Sequence, residues 1–598
     1  MAPTPKTNLA CDTCRQRKSR CDGVRPICTH CRNAGRECTY RPTPTSLEAD
    51  NYVLSRLTHV EARLKQLEER SDHSRRASEG LASTCHSTPS AHATSSQHSS
   101  LVKFPELHTA AACKMLVYWP RIRINFTVPG ISAANYLSET DHSDATLLSS
   151  LSSRSSTPTL MLWQVSRVLE EFYDNTSSNL PVYISELIQS CPKLSSQFVA
   201  NNLRNMFGMD MDSLDTVLVD IKQLPISILL VLSIALRSAD NSPLNLGPEL
   251  LLALSEASFT NALQSQWTLL SVVDDERIPL SLLMAYCLMY FWARPFHALG
   301  LVQSLDPVIR TFSMRNGDES LGRLYYRLHY IIECDILTEV DGIPSDKTFE
   351  VLTKTNDESM SGFLESHLWL RSHLNKVLQY LYSTSKAYAQ PHELADLVCN
   401  LSADLRGWFQ SQPLGAQFAR DATAFSMSVP TMPLRKREIA LRYFACAFLL
   451  HRPVLYFFLH KDMEYTVRPP DTQALRSDQA PWILESCRDC IEGATLFVHF
   501  SCISMDSQSS KMERSYRSWC DIQLLFAAYL VLVQVKSVPA LVPIFRVLGD
   551  MENLLDQAER MFELFPIDSL KIRKSLEVLR SQRQNLDAAS PVYSHGSV

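Results

Sequence analysis

A repeated pattern of cysteines near the N-terminus places the strongest constraint on this chain. A three-cysteine unit with the spacing C-x2-C-x6-C occurs twice and comprises Cys11, Cys14, Cys21, Cys28, Cys31 and Cys38. A Cys-x2-Cys pair at the start of a short helix directs two thiolates toward one point, and a third thiolate can complete three sides of a tetrahedron around zinc. The doubling of the unit therefore predicts two metal ions.

The number of ligands predicts how the two ions share them. Two tetrahedral zinc ions need eight ligand positions, and no histidine in this stretch has a spacing that would help. Six thiolates fill eight positions only if two of them bridge both ions, so we expect a binuclear cluster with two shared sulfur atoms. A segment this short cannot bury an adequate apolar core, and the bound metal must supply the folding free energy.

The residues around these cysteines are strongly basic. Residues 1–46 contain nine Lys or Arg against three Asp or Glu, a net charge of +6, whereas the remainder contains 49 against 60, a net charge of −11. Four of these cations follow the second cysteine, namely Arg15, Arg17, Lys18 and Arg20. They partly neutralise the charge of about −2 that six thiolates and two zinc ions carry, and they leave a basic face. A basic module on an acidic body is an electrostatic footprint for binding phosphate.

Three runs, Ala10 to Gly23, Arg25 to Cys28 and Gly35 to Tyr40, resemble the DNA-binding domain of the fungal binuclear zinc-cluster transcription factors. All six cysteine spacings match, although the resemblance covers under a tenth of the chain. It implies that the first cysteine of each half bridges the two ions, and these cysteines are Cys11 and Cys28. It also implies that Lys18 contacts base edges in the major groove, typically at a CGG triplet, while the neighbouring arginines hold phosphates.

Other interpretations of the cysteine-rich module differ in what they require. A zinc-dependent adaptor would use the module to bind protein, with no need for the basic run at residues 15–20, whereas reading DNA requires it. A disulfide knot would need an oxidising compartment, but Met1 to Ala10 has no apolar signal-peptide core. We therefore expect reduced thiols in the cytosol or nucleus.

A short heptad pattern follows the module and its linker. Apolar residues spaced four and three apart form a seam of Val53, Leu57, Val60, Leu64 and Leu67. This seam predicts a coiled coil over residues 47–70 that joins two chains as a homodimer, and the alternative is a lone amphipathic helix that packs on its own chain. Residues 71–100 contain ten serines and almost no large apolar residue, which predicts a disordered tether.

The rest of the chain predicts a large all-α domain over residues 101–586, followed by a disordered tail at 587–598. Apolar residues recur every three or four positions, and only 16 of 598 residues are glycine, well below the usual share of about 7%. We expect prolines to break the helices, at Pro181, Pro192, Pro225, Pro243, Pro279, Pro295 and Pro307. Within this domain, Leu282 to Asp346 resembles the all-helical regulatory region of the same fungal factors.

The sequence lacks the signatures of several enzyme classes, and we predict that the protein is not an enzyme. No two glycines lie two or four residues apart, so neither a GxGxxG dinucleotide loop nor a GxSxG nucleophile elbow exists. A second Cys-x2-Cys pair, Cys487 and Cys490, is interpreted as packing or surface thiols, with metal binding as the alternative. The longest apolar runs fall short of the roughly 20 residues that span a bilayer, so no membrane partner is expected.

Together these features predict a mainly α protein that acts in the nucleus on double-stranded DNA. It would regulate RNA polymerase II transcription from CGG-type half-sites as a homodimer, with the transcription machinery or co-regulators as partners. By resemblance, its targets would belong to a secondary-metabolite or nutrient-utilisation pathway.

Overall fold

The computed structural model describes part of the N-terminal module and most of the long C-terminal region. The described residues are 11–38 apart from 12, 15, 16, 18, 20, 23, 25 and 26, then 108–125, 159–208, 217–239, 246–266, 276–315, 319–345, 362–384, 389–422, 425, 432–464, 481–503, 517–538, 541, 550–563 and 570–589. The chain divides into two compact units, Met1–Gln97 and His98–Val598. The predicted linker, coiled coil and tether lie outside the described residues and stay predictions.

Within the described residues of the first unit, the second cysteine-rich half contains a short helix, α1 (Thr29–Asn33), whose start is fixed by a cysteine. The sulfur of Cys28 accepts a hydrogen bond from the N–H of Cys31, which is the role that Ser or Asp usually plays at a helix N-terminus. The helix ends where Gly35 adopts the left-handed conformation with φ of 60°. The N–H of Arg36 then bonds to the carbonyl of Cys31 at 3.0 Å, which closes the turn.

The second unit is built from helices, and its first half runs to residue 339. The helices are α2 (Ala112–Tyr118), α3 (Pro120–Asn125), α4 (Leu162–Asn179), α5 (Val182–Ser190), α6 (Ser196–Phe207), α7 (Ile226–Ser238), α8 (Pro248–Gln264), α9 (Arg277–Tyr290), α10 (Pro295–Arg315) and α11 (Glu319–Glu339). Short 3-10 turns cover Pro192–Leu194 and Ile221–Gln223. The strands β1 (Leu160–Met161) and β2 (Leu218–Val219) pair antiparallel, with Leu160 opposite Val219. Because the two strands have only two residues each and the helices account for most of the unit, the predicted mainly α class is confirmed.

The second half of this unit continues the helical pattern. Its helices are α12 (Gly362–Val377), α13 (Pro391–Ser411), α14 (Leu434–Glu464), α15 (Pro481–Cys502), α16 (Trp519–Lys536), α17 (Met551–Glu563) and α18 (Leu570–Ala589). A π-helical turn at Leu378–Tyr382 follows α12. Helix α18 reaches Ala589, so it extends three residues into the predicted tail.

Two helices of this unit are apolar enough to be compared with membrane spans. By length and composition, α16 and residues Leu434–His460 of α14 could cross a membrane, but 83% and 89% of their most apolar windows are buried inside the unit. A helix that is apolar on all sides is typical of a protein core. We interpret both as core helices of this unit, against which other helices pack.

Two of the prolines that we expected to break helices lie inside them. Pro279 is in the first turn of α9, where a backbone N–H has no helical partner in any case. Pro307 lies within α10, where it removes one helical hydrogen bond. Buried Leu305 and Ile309 flank Pro307, so packing of α10 into the core outweighs the cost of roughly 3 kcal/mol for an interior proline. The prediction of a break at these two positions was wrong.

Candidate metal centre and nucleic-acid interface

The six cysteine sulfurs of the first unit fall into two overlapping groups of four. In one group the sulfur atoms all lie within 4.8 Å of one another, and this group consists of Cys11, Cys14, Cys21 and Cys28. The other group meets the same limit and consists of Cys11, Cys28, Cys31 and Cys38. Cys11 and Cys28 belong to both groups. The structure therefore presents two sulfur tetrahedra with one common edge.

The distances between sulfur atoms fit zinc coordination. Cys11 lies 3.8 Å from Cys28 and 3.7 Å from Cys31, and Cys14 lies 3.8 Å from Cys28. A zinc ion with Zn–S bonds of about 2.3 Å needs tetrahedral sulfur edges of about 3.8 Å. A disulfide would need about 2.05 Å, and all of these cysteines are free. The donor set and its spacing both suit zinc.

Backbone hydrogen bonds orient the sulfur atoms in the same way in both halves. The N–H of Cys14 donates to the sulfur of Cys11 at 3.4 Å, and the N–H of Cys31 donates to that of Cys28 at 3.4 Å. The N–H of Cys28 also donates to the sulfur of Cys38 at 3.3 Å. Such donors stabilise a thiolate and fix its direction. The repeated Cys-x2-Cys spacing produces this geometry because each pair begins a helical turn.

Side chains outside the cysteine pattern hold the two halves together. The hydroxyl of Thr13 donates to the carbonyl of Glu37 at 2.8 Å, which ties the first helical turn to the end of the module. The carboxylate of Asp22 accepts from the N–H of Thr29 at 3.2 Å and from that of Val24 at 3.4 Å. Hydrogen bonds from Thr29, above all, hold the pKa of Asp22 below its usual value. The cysteine spacing gave no sign of the Thr29 and Glu37 contacts, since their partners lie 7 and 24 residues away.

Only one member of the predicted DNA-reading run lies among the described residues. Arg17 is exposed, and its N–H bonds to the carbonyl of Thr13 at 3.3 Å, so it continues the first helical turn. Arg15, Lys18 and Arg20 lie outside the described part of the module, and their contacts stay predictions. Arg32 and Arg36 in the second half are also exposed. They add positive charge to the module beyond that of the run at residues 15–20.

Comparison with known proteins identifies this module. The family model described as the fungal Zn(2)-Cys(6) binuclear cluster domain matches residues 9–46. Residues 9–46 are therefore a zinc-cluster domain of this type, which holds two zinc ions.

Similar proteins match over the same short region. The chain is 49% identical over 39 residues to the quinic acid utilization activator of Emericella nidulans, covering 6% of this chain and 5% of that protein. It is 54% identical over 48 residues to transcription factor FUP7 of Fusarium proliferatum, covering 8% and 18%. It is 52% identical over 42 residues to the C6 finger domain transcription factor hasF of Aspergillus fumigatus, covering 7% and 6%. Less than a fifth of each of these relatives is thus matched.

The second Cys-x2-Cys pair has a different environment. Cys487 and Cys490 lie on α15 with no exposed surface, and the thiol of Cys490 donates to the carbonyl of Phe448 on α14 at 3.4 Å. Among the residues that the structure describes, the groups able to hold a metal ion are the two N-terminal quartets. Packing between α14 and α15 therefore accounts for this pair.

Proposed function

We propose that this protein is a sequence-specific DNA-binding regulator of RNA polymerase II transcription that acts in the nucleus. The observation that carries the proposal is the pair of sulfur quartets sharing Cys11 and Cys28, which lies within a matched zinc-cluster domain. The net charge of residues 1–46, which include this domain, is +6. Several similar proteins are named as transcription factors, which supports the same conclusion.

In this proposal the metal cluster is a scaffold. Cys14 and Cys21 complete the ligand set of one ion, Cys31 and Cys38 complete that of the other, and Cys11 and Cys28 serve both. The zinc ions supply the folding free energy that the small module cannot obtain from an apolar core. The Thr13 to Glu37 hydrogen bond then keeps the two halves in one orientation, so that the basic surface has a fixed shape.

The basic side chains have two different roles in binding DNA. Arg15, Arg17 and Arg20 hold phosphates, which gives affinity and register, and Lys18 contacts base edges of a CGG triplet. One module covers about three base pairs, too few to select a site in a genome, so two modules on one duplex are needed. The seam from Val53 to Leu67 joins them in a homodimer.

We extend the proposal to the class of target genes. The relative from Emericella nidulans is named for quinic acid utilization, so genes of nutrient utilisation are one candidate target, and secondary-metabolite genes are the other. The helical unit is the surface on which the transcription machinery or co-regulators assemble.

A map of occupied genomic sites tests this function. Wild-type protein, the Lys18→Ala variant and a Lys222→Ala control would each be mapped in cells; Lys222 is an exposed lysine of the helical unit. We expect wild type and control to occupy sites enriched in paired CGG triplets, and Lys18→Ala to lose that enrichment. Occupancy without sequence enrichment in all three would contradict DNA reading and favour a protein-binding adaptor.

A further inference from the structure

A polar cavity lies in the middle of the helical unit. Six helices line it: α5, α9, α11, α12, α14 and α16. The centres of water-sized spheres can occupy about 50 Å³ of it, which is room for roughly three or four water molecules. The cavity therefore has room for a small ligand and not for a drug-sized one. A ligand in this cavity would contact helices from both halves of the unit.

The positive charges that line the cavity are already paired. Arg442 donates to both carboxylate oxygens of Asp335, at 2.7 and 2.5 Å, and Arg371 donates to one of them at 3.0 Å. The two guanidinium groups hold the pKa of Asp335 below its usual value although burial acts in the opposite direction. Arg371 also donates to Asn375, and its remaining donors are largely used there. Little positive charge is left to attract an anion.

Three other carboxyl groups on the cavity wall have no cationic partner. Glu339, Glu438 and Asp521 form no ion pair with a lysine or arginine of the described helices. Neutral groups donate to them instead. Glu339 accepts from the N–H of Ala112 at 2.7 Å. Glu438 accepts from the N–H of Val182 at 3.2 Å and from the hydroxyl of Tyr290 at 3.3 Å, and Asp521 accepts from the N–H of Ser518. The lining therefore has four carboxyl groups against two guanidinium groups.

Because these three carboxyl groups are buried without a cation bonded to them, their pKa values are raised. Burial raises the pKa of Glu339 and of Glu438 to about 7, and it raises that of Asp521 to about 6. Nearby cations offset this effect only in part: Arg452, Lys114 and Arg371 lower the pKa of Glu339, Arg437 lowers that of Glu438, and Arg442 and Arg517 lower that of Asp521. A carboxyl group in this state gains a strong partner when a cation enters the cavity.

An unused hydrogen-bond donor also lines the cavity. His367 is 2% exposed, and its Nδ1 lies 2.8 Å from the hydroxyl of Tyr183 and accepts from Nε of Arg442 at 3.1 Å. Because a guanidinium can only donate, Nδ1 carries no proton, and the proton of the neutral ring is on Nε2. Nε2 is buried and has no hydrogen-bond partner among the described residues. A buried donor left unpaired is costly, and an acceptor group on a ligand in the cavity would pair with it.

Aromatic rings provide an apolar surface beside these groups. Tyr183 and Tyr286 stack with their ring centroids 5.0 Å apart and their planes 13° from parallel, and Tyr290 lies on the same wall. Tyrosine ring faces attract an organic cation and pack against its carbon atoms. The cavity thus offers carboxyl groups, one neutral donor and aromatic rings.

We propose that this cavity binds a small organic cation, a protonated amine that also carries a hydrogen-bond acceptor. The ammonium group lies against Glu438 and Asp521, the acceptor takes the hydrogen of His367 Nε2, and the carbon chain packs on Tyr183 and Tyr286. This binding site is additional to the proposed reading of DNA and does not depend on it. Since six helices meet at the cavity, binding stabilises the folded unit as a whole.

Three matched probes test the chemistry of the site. The full-length protein would be titrated with 3-amino-1-propanol, 1,3-propanediol and 3-hydroxypropionate, which share a hydroxylated three-carbon chain and differ in charge. Binding would be followed by calorimetry and by the unfolding temperature. We expect the amine alone to bind and to raise the unfolding temperature. A preference for the carboxylate, an equal response to all three probes, or no response to any of them would overturn the proposal.

Two isosteric variants test the position of the ligand. Glu438→Gln and Asp521→Asn each remove one negative charge from the wall, and each should weaken binding of 3-amino-1-propanol roughly tenfold or more. Asp404→Asn makes the same change at an exposed position of α13 and should leave binding as in wild type. Unchanged affinity in both cavity variants would overturn the assignment. The comparison of the three probes on wild type decides the question if either variant fails to fold.

Discussion

The sulfur atoms of Cys11 and Cys28 lie 3.8 Å apart, and each belongs to both sulfur quartets. These two residues hold the equivalent first position of the repeated cysteine unit. Each also accepts a hydrogen bond from the N–H three residues later, so the two halves of the module are related in sequence and in geometry. The shared edge is what allows six thiolates to serve two tetrahedral ions.

The first prediction concerns metal content. Full-length protein should contain two zinc ions, and Cys28→Ala should disrupt both sites, since Cys28 belongs to both quartets. Cys399→Ala, at an exposed cysteine of the helical unit, is the control and should retain both ions. Elemental analysis of the purified proteins gives the stoichiometry.

A site that holds a single zinc ion would give a different zinc stoichiometry. The sulfur atoms of Cys14 and Cys31 lie 3.8 Å apart. Together with Cys11 and Cys28, these residues form a third group of four neighbouring sulfur atoms. One ion held by those four would leave Cys21 and Cys38 without a role. One zinc per chain, unchanged in a Cys21→Ala variant, would contradict the shared-edge cluster.

Sequence reasoning located the metal centre because its ligands are set by local spacing. Two cysteines three positions apart on a helical turn must point the same way, whatever the rest of the chain does. The Asp22 to Thr29 and Thr13 to Glu37 contacts have no such periodicity, and only the folded loops bring them together.

In the helical unit, too, features set by local sequence could be predicted and features formed by distant residues could not. Its mainly α class followed from apolar periodicity, but proline positions alone did not predict helix ends, since packing retained Pro307 inside α10. The cavity was not predicted at all. Its lining extends from Tyr183 to Leu524 in the sequence, so no local pattern connects those residues.

A second prediction tests the contact between α14 and α15. A methyl group added at Gly493 would lie 3.1 Å from the backbone nitrogen of Phe448, so Gly493→Ala should destabilise the unit by about 1–3 kcal/mol. Gly407 on α13 has nothing within 4 Å of the added carbon, and Gly407→Ala should be neutral or stabilising by up to about 1 kcal/mol. Thermal unfolding of both variants measures the difference. Equal midpoints would show that the two helices are not so closely packed.

A third prediction concerns assembly. Leu57→Asp combined with Leu64→Asp places charges in the predicted seam, where unpaired burial costs several kcal/mol, so dimers should dissociate. The zinc content and the weak affinity for one CGG triplet should stay as in wild type, and the advantage on paired sites should be lost. Light scattering and titration of one-site and two-site duplexes measure these properties. If the variant retains the wild-type preference for paired sites, another surface joins the two chains.

A fourth prediction follows from the pKa of Glu438. Its folded-state pKa is raised from 4.5 to about 7, so between these values the folded protein retains a proton that the unfolded chain releases. Stability therefore falls as the pH rises across this window. Glu438→Gln removes the ionisable group, so its unfolding temperature should fall less between pH 5 and pH 8 than that of wild type. The same loss in both proteins would show that Glu438 does not titrate in this range.

The fifth prediction assigns roles to two basic side chains. Lys18→Ala should cost about 1–3 kcal/mol on a CGG duplex and relax sequence preference, since Lys18 contacts base edges in our proposal. Arg17→Ala should weaken binding to all duplexes alike and lower the salt slope by about one unit, since its partner is a phosphate.

The most direct measurement is the ratio of affinities for a paired-CGG duplex and a scrambled duplex, determined by titration of full-length wild type and of these two variants at several salt concentrations. We predict a large ratio for wild type and for Arg17→Ala, a ratio near one for Lys18→Ala, and loss of the wild-type ratio on zinc chelation. A wild-type ratio near one, or a ratio that neither chelation nor Lys18→Ala changes, would contradict DNA reading by the zinc cluster.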